Sequence, residues 1–158
     1  VMFATHGLMV GSINGLSQPA LALSAPDVPG SSGDGLLTMD KVMGLKLDAD
    51  WVVLSACNTG GAGGRGAEAV SGLGRAFFYA GARSLLVTNW PVDTIAARQL
   101  VTEVFRNQQA NPSAERSTDL RRAELALIDS GANLDEGIAT YAYAHPKFWA
   151  PYSLVGAP

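Results

Sequence analysis

The stretch Trp51 to Ala56 constrains the fold more than any other part of the chain. Trp51-Val52-Val53-Leu54-Ser55-Ala56 is a continuous, β-prone apolar run bounded by polar residues, and five glycines follow within residues 58–66. A run this short and without alternation reads as a strand buried on both faces. Beyond the glycines, Val70, Leu73, Phe77 and Ala80 recur at helical spacing, and Gly81 stands where such a helix would end. Ser84 to Asn89 reads as another strand. Ala97, Leu100, Val101, Val104 and Phe105 then form one helical stripe, and Leu120, Ala123, Leu127 and Ile128 form a second. Tyr152 to Val155 reads as a last strand. Strand and helix in alternation imply an α/β fold with a largely parallel sheet and helices on both faces.

The first third of the chain is less regular. Val1 to Thr5 is an apolar run that stops at His6-Gly7, as a buried strand stops at a turn. Residues 8–37 are rich in Gly, Ser and Pro and read as a long loop, with Ala20 to Leu23 as a short edge strand within it. Thr38 is placed to N-cap a short helix that closes at Gly44.

Composition narrows the function classes. With 47% hydrophobic and 16% charged residues, the 158-residue chain reads as one globular domain over residues 1–158. A net charge of −3 and a pI near 5.2 argue against a nucleic-acid partner, which needs a basic face. No apolar run approaches the roughly 20 residues of a membrane span. The apolar opening from Val1 to Val10 lacks the basic start and the cleavage site of a signal peptide. A single cysteine rules out an internal disulfide and suits a reducing compartment, so a cytoplasmic location is expected. One cysteine and two histidines, widely separated, offer no zinc-site spacing. Val1 reads as the start of a piece, with N-terminal neighbours expected upstream.

The chemistry concentrates on two residues. In parallel sheets functional groups gather where strands end at their carboxyl edge. His6 and Cys57 each directly follow an expected strand. A thiol that ordinarily titrates near about 8.5 needs a partner to become a strong nucleophile at neutral pH. An imidazole within reach can take that proton and later deliver one to a leaving amine. The glycines after Cys57 let a substrate backbone approach closely, and the amides of Gly7 and Cys57 are candidate donors to an oxyanion. The plainer readings are a small buried thiol for Cys57 and a turn histidine for His6. Against them stands the matched position of the two residues, with His6 lying 51 residues upstream of Cys57. In caspases the histidine precedes an Ala-Cys step by about 50 residues.

Several motifs together carry a family resemblance. They are Ala4-Thr5-His6-Gly7, Asp34-Gly35-Leu36-Leu37-Thr38, Leu47 to Gly60, Gly72 to Arg83, Trp90-Pro91-Val92-Asp93 and Ala144 to Pro151, in order over nearly the whole chain. The sequence resembles the CHAT family, caspase-like domains usually attached to tetratricopeptide-repeat arrays, in the same broad clan as caspases and separase. The resemblance implies a caspase-like three-layer sandwich whose first strands lie upstream of Val1. It also implies a His6–Cys57 dyad, a protein or peptide substrate, no cofactor, and control by an attached repeat or partner module. Missing upstream strands would leave Val1 to Thr5 as an open edge prone to self-association. The alternative is a catalytically silent interaction or signalling domain on the same fold. One departure concerns the substrate pocket: many family members carry a second acidic residue after the aspartate, where this chain has Thr94.

Other candidates carry less. His145 sits beside Phe148-Trp149, where a structural role is expected. Asp93 precedes a helix and reads most simply as its N-cap. Gly60 to Gly66 continues into Ala67-Glu68 and lacks the Lys-Ser/Thr ending of a phosphate loop. Arg121-Arg122 reads as part of a solvated helix face.

Overall fold

The computed structural model describes all residues except 25–32, 56–64, 132, 136–139 and 157–158, and gives the backbone alone for 65–71 and 133–135. The continuous apolar run forms β5 (Val52–Leu54), which lies between β1 (Met2–Phe3) and β6 (Ser84–Thr88). Both pairings are parallel, with Met2 opposite Val53 and Phe3 opposite Leu54 on one side, and Val53 opposite Leu86 on the other. With β9 (Tyr152–Gly156) the order is β1-β5-β6-β9. Every residue of β5 and β6 is buried, as the unbroken run implied. For the first strand the edge expectation holds over the buried one. Among the described strands β1 lies at the edge of the sheet, with Val1 60% and Met2 43% exposed.

The chain divides into two compact units, one made of residues 1–91 with 155–157 and the other centred on residues 92–154. In the first, α2 (Arg65–Tyr79) lays Leu73, Ala76 and Phe77 on the core formed by Val52, Leu54, Leu85 and Val87. Phe3 joins it through a tilted ring contact with Phe77, centroids 5.5 Å apart. Gly81 closes this helix with φ +106°, and a Cβ there would lie 2.0 Å from the Leu47 carbonyl oxygen. Only glycine fits both demands.

The expected loop over residues 8–37 contains a second sheet. β2 (Gly7–Leu8), β3 (Ala20–Ala22) and β4 (Leu36–Thr38) form an antiparallel sheet in that order. Leu21 from its central strand is fully buried in the same core, and Leu37 packs on it. The turn-rich composition marked the connections, while burial of Leu21 and Leu37 supplied the reason to pair. α1 (Met39–Met43) follows β4 directly. Thr38 occupies its N-cap without a side-chain cap bond, and Gly44 ends it in an ordinary right-handed conformation.

The second unit is helical at its centre. α3 (Thr94–Ala110) and α4 (Arg116–Asp129) are joined by residues 111–115, a helical hairpin. Ala97, Leu100, Val101 and Val104 are buried as their spacing implied, whereas Phe105 is 38% exposed. Leu120, Ala123 and Leu127 face inward from α4, with Ile128 half-buried. Two elements have no counterpart in the sequence reading: the hairpin of β7 (Asn133–Asp135) and β8 (Thr140–Ala142), and α5 (Pro146–Trp149).

Candidate active site

The carboxyl ends of β1, β5 and β6 share one edge because the three strands run parallel in register. Phe3, Leu54 and Val87 form one row across them. His6, Cys57 and Trp90 each follow that row by three residues. Neighbouring strands stand about 4.8 Å apart, so the carboxyl ends of β1 and β5, at Phe3 and Leu54, lie side by side. Cys57 itself, with its amide, lies outside the described residues. Trp90, from the Trp90-Pro91-Val92-Asp93 motif, is a large aromatic at this edge and 37% exposed.

His6 does not directly follow its strand. β1 ends at Phe3, whose carbonyl accepts from Ser55 N–H at 3.0 Å. Ala4, Thr5 and His6 then carry the chain from the four-stranded sheet into β2 of the antiparallel one. His6 is exposed, and its carbonyl accepts from Ala22 N–H at 2.9 Å. The Thr5 hydroxyl donates to the Ala22 carbonyl. Gly7 faces Leu21 in register. By the alternation of an antiparallel ladder, with the neighbouring His6–Ala22 position hydrogen-bonded, Gly7 occupies a non-bonded position and its N–H points away from β3.

The same register sets what stands around the histidine. Opposite residues in a sheet share a face. Ala22 faces Leu36 in β4, and His6 extends that row by one residue. At the β4 end, Lys41 Nζ donates to Asp34 Oδ1 and holds that exposed carboxyl below the usual carboxylate range. Leu23 N–H donates to Gly35 O at 2.7 Å, tying β3 to the start of β4.

The competing candidates have structural partners. His145 is the N-cap of α5, its Nδ1 accepting from Lys147 N–H at 3.1 Å. Beside it, Tyr143 and Phe148 meet edge to face with centroids 5.0 Å apart. Asp93 caps α3 by accepting from Ala96 N–H at 2.8 Å. Arg121 and Arg122 are exposed, with Arg122 3.9 Å from Asp119. A groove of about 360 Å³ between α3 and α4, walled by Arg98, Thr102, Arg106, Ala123 and Leu127, does not include His6. Among the described residues no three His, Cys, Asp or Glu side chains gather as a metal site would require. None of the described helices is long and apolar enough to cross a membrane.

Two curated relatives carry the name tetratricopeptide repeat protein 28. The mouse protein is 32% identical over 123 residues, covering 77% of this chain and 4% of that protein. The human protein is 31% identical over 122 residues, with the same coverage of each. The chain thus spans only a small part of the relatives it matches. The family model of the CHAT domain matches residues 1–157, and the chain belongs to the CHAT family, a caspase-like family.

Proposed function

We propose that this chain is a cysteine endopeptidase domain in which His6 and Cys57 form the catalytic dyad. The observation that supports it most is the parallel pairing of β1 with β5, the strands whose carboxyl ends lead to His6 and to Cys57. His6 takes the thiol proton, and the Cys57 thiolate attacks the scissile carbonyl. The amides of Gly7 and Cys57 donate to the resulting oxyanion. As the tetrahedral intermediate collapses, the C–N bond breaks, His6 protonates the leaving amine, and a Cys57 thioester remains. Water, deprotonated by His6, hydrolyses that thioester and restores the thiol. Gly7 supports this arrangement with an N–H directed away from its neighbouring strand.

The substrate is a protein or peptide, and the reaction needs no cofactor. The names of the mouse and human relatives favour an attached tetratricopeptide-repeat module as the regulator. The single cysteine suits work in the cytoplasm.

The test is cleavage of a peptide library by four proteins. Cys57→Ala should abolish turnover, and His6→Ala should lower kcat on the order of 100- to 10,000-fold with little change in melting temperature. His145→Ala removes a helix cap, costs about 1 kcal/mol of stability, and leaves activity per folded molecule unchanged. Cleavage that survives in Cys57→Ala, or swapped behaviour of the two histidines, would end this reading.

A further inference from the structure

We infer that Thr5 is the positioning residue of His6. Two hydrogen bonds meet at one residue of β3. Ala22 N–H donates to the His6 carbonyl at 2.9 Å, and the Thr5 hydroxyl donates to the Ala22 carbonyl. In an antiparallel ladder the second bond would come from the His6 amide. The Thr5 hydroxyl reaches that same acceptor from the preceding residue, so Ala22 is tied to both Thr5 and His6. β2 itself begins at Gly7, and His6 lies just before it on the crossing between two sheets.

That crossing has three residues, Ala4 to His6, and is held on both sides. Upstream, Phe3 O accepts from Ser55 N–H at 3.0 Å, which fixes the chain to β5. Downstream, the Thr5–Ala22 and Ala22–His6 bonds fix it to β3. His6 is exposed, so packing around the ring does little to hold it, and the backbone leading to it sets where the imidazole points. A displacement of about 1 Å at such a group costs on the order of 100-fold in rate. The role in catalysis rests on the dyad reading above, while the geometry at His6 does not.

The chain has two histidines, so their ring signals in a nuclear magnetic resonance spectrum separate the local effect from the global one. Thr5→Val keeps the shape of the side chain and removes its donor. It should shift or broaden the His6 ring signals, leave those of His145 unchanged, and be reversed by Thr5→Ser. Unchanged His6 signals would overturn the assignment. So would a matched movement of both histidines with a falling melting temperature, which marks a general structural role. In peptide cleavage, Thr5→Val should lower kcat about 10- to 100-fold at nearly constant KM, again restored by serine. Full kcat in the valine variant would also overturn it. If the wild-type chain shows no cleavage that depends on His6 and Cys57, the peptidase reading falls, and the ring signals alone decide the role of Thr5.

Discussion

β1 and β5 are neighbours, both short and apolar, yet their surroundings are opposite. All of β5 is buried, whereas in β1 Met2 is 43% exposed beside an almost fully buried Val53. The difference is one of position. β5 has a strand on each side, while β1 is paired on one side only among the described strands. Val1 and Phe3 turn their carbonyls toward β5, accepting from Val53 and Ser55. Met2 then directs its backbone groups outward, as the parallel ladder requires. Apolar composition alone therefore does not say whether a strand anchors a sheet or borders it. The candidate nucleophile follows the anchored strand and the candidate base follows the bordering one.

The sharpest way to break this contrast is the same truncation in both strands. Leu54→Ala should cost about 3 kcal/mol, because it opens a cavity in a core with no exposed route to collapse. Met2→Ala should cost under about 0.5 kcal/mol, as surface changes do. Urea melts of the two variants measure the difference, and equal losses would mean that β1 is not a border in solution.

The opposite border strand sharpens it. β9 also ends the sheet, but Gly156 in it has φ +107° and approaches its neighbours closely. A Cβ there would lie 2.6 Å from the Arg83 carbonyl oxygen and 3.0 Å from Ser84 Cα. Gly156→Ala should cost about 1–3 kcal/mol through strain at a conformation that L residues avoid. A neutral result in thermal melts would show that this border is as loose as β1.

The smallest effect on stability is expected at Met2, and there the readout is association. An apolar edge with outward backbone groups pairs readily with another strand, and a lysine at such an edge opposes it. We expect the chain to self-associate with rising concentration and Met2→Lys to suppress this with almost no change in melting temperature. Sedimentation of both proteins decides it. Identical behaviour would move the interface elsewhere.

Local pattern was enough for much of the fold. The unbroken run around Val53 and the one around Leu86 became central strands, the stripes through Leu100 and Leu120 became α3 and α4, and Gly81 ended α2. Asp93 was legible as an N-cap because a capping side chain acts within three residues of itself. His145 was legible as structural only from its aromatic neighbours, and its cap on α5 came with the fold. The candidate site was read as two strand ends, of which His6 stands three residues beyond β1, and Cys57 remains known from sequence alone. By contrast, the sheet of β2, β3 and β4 depends on Gly7 meeting Leu21 and Leu21 meeting Leu37, pairings with no local signal in a segment full of turn residues. The outward turn of Phe105 was likewise settled by neighbours distant in sequence. The role of Thr5 belongs to the same class, since its hydroxyl matters only once Ala22 has been brought beside it. Periodicity reports what a segment does with its own nearest residues. Which described strands border the sheet, and how His6 is held, depend on partners that only the folded chain brings together.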